Sequence, residues 1–136
     1  MKITHYLFFD GNCEEAFNRY AEIFEVDNLY IQRFSGMPGE SPFSKDMGDK
    51  IMFVSMSLEE GCIMGSDDPT GNYEKPGGMA ISLHYESVEK ARAIFEKLSE
   101  GGTVLMKFKP TFFSPGFGTC KDKFGMPWMV HTDQVE

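Results

Sequence analysis

The stretch ITHYLFFDGNCEEAFNRYAEIF, residues 3–24, sets the pattern for the whole chain. Ile3 to Phe9 is aromatic and apolar and ends at Asp10-Gly11-Asn12, a strong turn signal, so it predicts a strand. Its apolar residues fall on both faces, which predicts a central strand covered on each side. Asn12 stands where a helix N-cap belongs, with Glu14 and Glu15 in the first turn, where the helix dipole favours negative charge. Ala16, Phe17, Tyr20, Ile23 and Phe24 then recur at the spacing of one helix face.

The stretch MAISLHYESVEKARAIFEKL, residues 79–98, repeats that order. Met79 to Tyr85 predicts a strand, and Ser87 caps a helix carrying Val88, Ala91, Ile94, Phe95 and Leu98. Glu100-Gly101-Gly102 ends it, glycine being the natural left-handed terminator. Three strands are expected after each helix. In the first half they are Leu29–Phe34, Lys50–Leu58 and Cys62–Ser66, with a Gly/Pro/Ser-rich loop from Ser35 to Gly48. In the second half they are Thr103–Phe108, Gly116–Lys121 and Met126–Thr132, the last hairpin turning at Asp122-Lys123-Phe124-Gly125.

The order strand-helix-strand-strand-strand thus occurs twice with a period of about 75 residues, a duplicated module rather than a solenoid unit. The expected architecture is α+β: two tandem βαβββ modules forming a cupped mixed sheet. Module one is expected at residues 1–68 and module two at 78–136, with a polar linker at 69–77, all in one domain of 136 residues. Each module covers one sheet face with its helix and leaves another apolar. Two such faces turned toward each other would enclose a ligand-sized hollow.

Composition narrows the function classes. The net charge is −8 and no basic run tracks a phosphate backbone, so neither nucleic acid nor an anionic membrane surface is an expected partner. No apolar run reaches the length of a membrane span, and Met1 to His5 leads straight into a strand without a signal-peptide pattern, so the expectation is a cytoplasmic protein. Cys13, Cys62 and Cys120 have no metal or CxxC spacing and read as small buried hydrophobes. The supply of 13 Phe and 10 Met suits a core or an apolar lining.

Tyr6 to Ala16 followed by Tyr20 resembles the opening of PhnB-like proteins of the glyoxalase/bleomycin-resistance (vicinal oxygen chelate) superfamily. Gly61-Cys62-Ile63-Met64 with Ser66-Asp67, Ile81-Ser82-Leu83, and Phe95 with Leu98 and Gly101-Gly102 are similar too. The most specific piece is Asp122-Lys123-Phe124-Gly125-Met126-Pro127-Trp128-Met129-Val130. The resemblance implies the paired-module fold and a homodimer. Such proteins often carry the label 3-demethylubiquinone methyltransferase. The residues do not support that label: the turn after the first strand has one Gly, and antiparallel meanders replace the alternating units of a Rossmann-type cofactor site.

Metal-dependent relatives place four His, Glu or Gln ligands at matching strand positions. Here those positions fall at His5, Met64, Met79 and Met129, within about one residue. One imidazole and three thioethers do not make a catalytic site for zinc, nickel or magnesium, so neither metal nor cofactor is expected. The expected function is binding of a small apolar or aromatic ligand by a wall of His5, Leu7, Phe9, Phe53, Met64, Met79, Phe113 and Met129. The alternative is an enzyme of lyase, isomerase or dioxygenase type, with His5 as candidate base. His5 also reads as a strand histidine satisfied by backbone. His84 is expected to face the helix layer or solvent, His131 is a weak pocket candidate, and Asp67-Asp68 reads as a solvated turn.

Overall fold

The computed structural model describes residues 1–36 and 47–133; of the loop expected at 35–48, positions 37–46 lie outside the described residues. The chain divides into two compact units, Met1–Glu74 and Lys75–Glu136.

The first unit contains β1 (His5–Phe9), α1 (Cys13–Phe24), β2 (Tyr30–Arg33), β3 (Ile51–Leu58) and β4 (Gly61–Asp67). Its sheet has the order β1-β4-β3-β2, with β1 parallel to β4 and the other pairs antiparallel. The second unit contains β5 (Ile81–Tyr85), α2 (Val88–Ser99), β6 (Thr103–Lys109), β7 (Phe117–Lys121) and β8 (Pro127–Thr132). Its sheet has the order β5-β8-β7-β6, again with first and last strands parallel. Each half is therefore a βαβββ module of the same topology. Among the described residues the strands form two four-stranded mixed sheets.

The strand expected at the centre of its sheet is an edge strand instead. Among the described residues β1 has one strand neighbour, β4, and its two faces differ sharply: Leu7 and Phe9 are buried, while Tyr6 and Phe8 are 40% and 58% exposed. The helix explains the asymmetry. Cys13, Ala16, Phe17, Tyr20 and Ile23 form the buried stripe of α1, and the Phe17 ring meets Phe9 edge-on at 5.9 Å. Gly65, the register partner of Leu7, makes room for it: a Cβ there would lie 2.7 Å from the Phe17 ring and 2.8 Å from the Leu7 carbonyl. The core of the first unit is thus Leu7, Phe9, Val54, Met56 and Ile63 against α1.

Helix capping differs between the units. Ser87 Oγ accepts from the Lys90 amide at 3.2 Å, as the sequence predicts for α2. Asn12, by contrast, makes no side-chain cap bond. The start of α1 is held by Asp67 at the end of β4, whose Oδ1 accepts from the Gly11 amide at 2.9 Å and the Cys13 amide at 3.0 Å. Its Oδ2 accepts from the Ile51 amide at 2.9 Å, so this carboxylate ties α1, β3 and β4 together. Asp67 is 1% exposed, which corrects the expectation of a solvated turn.

In the second unit Trp128, Val130, Ile81 and Cys120 lie on the helix side with Ala91, Ile94, Phe95 and Leu98 of α2. Asp122 organises the β7–β8 turn, accepting from the Phe124 and Met126 amides through Oδ1 and from the Trp128 indole N–H through Oδ2 at 2.9 Å. No helix among the described residues is long and apolar enough to cross a membrane.

Candidate functional site

Each sheet has one face covered by its helix and one that is not. Register fixes the membership of each face. In the first sheet Tyr6 pairs with Met64, Met64 with Ser55 and Ser55 with Tyr30, so these four side chains share the uncovered face. Phe8 and Phe53 join them by alternation. The rings form a connected row: Phe8 to Tyr6 at 5.1 Å, Tyr6 to Phe53 at 6.4 Å and Phe53 to Tyr30 at 6.1 Å. At its outer end the Tyr30 hydroxyl accepts from Gln32 Nε2 at 2.8 Å.

Of the residues expected to line a ligand wall, Phe53 belongs to this row and Met64 shares its face. Leu7 and Phe9 do not: they are buried on the opposite face, against α1. His5 is exposed at the start of β1 and shares their side of the sheet, its register partner being the buried Ile63. His5 and Met64 therefore point to opposite faces and cannot meet as neighbouring corners of one site. Alternation alone could not reveal this, because β1 is apolar at both sets of positions.

In the second sheet Met129 lies on the uncovered face beside Ser82 and Thr119. Met79 precedes β5 and is 56% exposed. Phe113 packs edge-on against Phe117 at 5.1 Å, and Phe117 in turn faces His131 at 6.3 Å. Cys13 and Cys120 are buried free thiols whose pKa values burial pushes up, so both are poor nucleophiles. Cys62 is a half-buried free thiol.

The same face carries a cluster that sequence reasoning missed. His84 and His131 are register partners on the parallel strands β5 and β8, and their Nε2 atoms are 3.1 Å apart. Ser82 Oγ lies 3.2 Å from His131 Nε2, and Asp133 Oδ1 lies 3.6 Å from His84 Nδ1. His84 faces away from the helix layer because Ile81, Leu83 and Tyr85 occupy the helix side of β5. The two histidines are 47 positions apart in the chain. Only the register of β5 on β8 reveals them as a pair.

Partial burial, and then the neighbouring His84, hold the His131 pKa below its ordinary value of 6.5, with Asp133 opposing. The folded state therefore takes up its proton later than the unfolded chain does. The neutral ring's contribution to stability is present above pH 6.5 and is lost as pH falls from there through the folded pKa. In a metal-free sample, the His131 imidazole should titrate by NMR with a midpoint below 6.5. The substitution His84→Ala should raise that midpoint; an unchanged midpoint would remove the coupling.

The family model described as 3-demethylubiquinone-9 3-methyltransferase matches residues 1–131. The chain belongs to this PhnB-like family. A solved structure of protein PA1353 from Pseudomonas aeruginosa is 36% identical, covers 99% of both chains and superposes with a TM-score of 0.88. A protein from Bacillus cereus described as a putative 3-demethylubiquinone-9 3-methyltransferase, PhnB protein, is 28% identical over 97% of this chain and 99% of its own, with a TM-score of 0.77. A glyoxylase/bleomycin resistance protein/dioxygenase domain from Frankia sp. EAN1pec, at 15% identity over 98% of both chains, shares the fold with a TM-score of 0.67. The PhnB-like chain thus has the glyoxalase/bleomycin-resistance fold.

Proposed function

We propose that this PhnB-like protein binds a small, planar, largely apolar molecule against the uncovered face of its first sheet. The observation that carries this reading is the row Phe8–Tyr6–Phe53–Tyr30, four rings in contact on a surface their own helix does not cover. Exposed apolar surface of this kind is uncommon without a binding role. Aromatic faces, a Met thioether and two phenol hydroxyls suit a flat ligand with polar groups at its rim.

The methyltransferase name of the family receives no physical support from α1. A Rossmann-type site leaves the N–H groups at a helix N-terminus open to an acidic group of its cofactor. In this chain the Asp67 carboxylate takes the Gly11 and Cys13 amides and would repel such a group. An enzyme using His5 as base is the less supported alternative, since His5 and the aromatic row lie on opposite faces of the sheet.

A thermal-shift screen of planar aromatic, quinone-like and glycopeptide compounds tests the proposal. At least one class should raise the melting temperature through linkage. Phe53→Ala should then weaken binding about two- to twelvefold, the worth of one aromatic contact of about 0.5–1.5 kcal/mol, while His5→Ala leaves it unchanged. No stabilising compound, or equal binding by Phe53→Ala, would contradict the proposal.

A further inference from the structure

We propose that His84 and His131 form a binding site for a borderline divalent transition-metal ion such as Zn2+, with Asp133 holding His84 in its ligating orientation. Imidazole nitrogens bind Zn2+ at about 2.0–2.1 Å, so two ligands at a tetrahedral angle stand about 3.3–3.4 Å apart. The His84 and His131 Nε2 atoms are 3.1 Å apart, a hydrogen-bonding contact that the ion would replace with two metal–nitrogen bonds. The ring centroids are 3.8 Å apart with planes inclined at 66°, closer than two imidazoles ligating one ion can stand, so both rings turn outward about their side-chain bonds to aim their lone pairs at it.

The surroundings match those of a metal-ligating histidine. A ligating imidazole usually donates its other N–H to a carboxylate, which fixes the tautomer and the ring plane. Asp133 Oδ1 lies 3.6 Å from His84 Nδ1, just beyond hydrogen-bond length, and a small turn of its exposed side chain closes the gap. Alternatively it can turn in as a third ligand, since one donor atom from each of His84, His131 and Asp133 lies within 4.8 Å of the others. Ser82 Oγ, 3.2 Å from His131 Nε2, is placed to hold a water on the ion. Imidazole with oxygen neighbours selects zinc, copper or nickel over magnesium or calcium.

The site is distinct from the strand positions that metal-dependent relatives imply. Those fell at Met79 and Met129 in this half of the chain; His131 lies two residues further along β8, and His84 pairs with it on β5. It is also independent of the aromatic row, which lies on the first sheet.

Calorimetric titration of zinc chloride into the full chain, freed of metal by chelator and dialysis, tests the inference. One equivalent should bind saturably. His84→Ala and His131→Ala should each weaken binding at least about tenfold, and Asp133→Asn by about tenfold. His5→Ala and Cys62→Ser should leave it unchanged, and magnesium chloride should give no saturable heat. Circular dichroism checks that each variant is folded. The inference is overturned by an absence of saturable zinc binding, by undiminished affinity in both histidine variants, or by loss of binding in Cys62→Ser.

Discussion

Replacing Asp67 with Ala is expected to destabilise the protein by about 3–5 kcal/mol, because it leaves buried backbone donors without their acceptor. The carboxylate is 1% exposed and accepts three amide hydrogens, from Gly11, Cys13 and Ile51. Two of these lie at the N-terminal end of α1, where a negative charge is also favoured by the helix dipole. Loss of the group unties the helix from the sheet it covers. Asp67→Asn keeps the shape and one carbonyl oxygen but turns an N–H toward a donor, so about half the loss is expected. Urea unfolding followed by circular dichroism measures both. An Asp67→Ala midpoint within error of the parent would mean that the three bonds contribute nothing net.

Trp128→Ala is expected to cost a similar amount, about 3–5 kcal/mol, chiefly through the cavity it opens. The side chain is fully buried between β8 and α2, and its indole N–H donates to Asp122 Oδ2 at 2.9 Å. Asp122 also holds the Phe124 and Met126 amides of the adjoining turn, so removing the indole loosens the β7–β8 hairpin as well as the core. Trp128→Phe separates the two effects. It retains most of the packing and removes only the indole donor, for an expected loss of about 1–3 kcal/mol. If both variants lose the same stability, the hydrogen bond dominates; if Trp128→Phe is neutral, packing does.

The duplicated module was legible in the sequence because its signals are local. Turn residues, helix-face spacing and the Ser87 cap all act within a few positions, and α2 begins where Ser87 predicts. The cap of α1 was not legible, because its acceptor arrives from 54 positions away and Asn12 supplied a plausible local substitute whose side chain makes no cap bond. The faces of β1 failed for a related reason. Leu7, Phe9, Tyr6 and Phe8 are all apolar, so alternation could not say which pair meets the helix. The available clue was Gly65, whose missing side chain leaves room for Phe17. That reversal moved Leu7 and Phe9 from the expected ligand wall into the core and put Tyr6, Phe8 and Tyr30 on the uncovered face in their place. Phe53 and Met64 lie on that uncovered face as well. The His84–His131 pair depends on the register of two parallel strands, which no short-range pattern encodes.

The most direct test of the proposed binding face is an NMR titration that follows the aromatic and methyl signals of the full chain. The added compound is the planar aromatic one giving the largest thermal shift. Shifts concentrated on Tyr6, Phe8, Tyr30, Phe53 and the Met64 methyl are predicted, with His5 and Leu7 little affected. Saturable shifts that spare all five of these residues, or that centre on the buried side of the first sheet, would contradict the account.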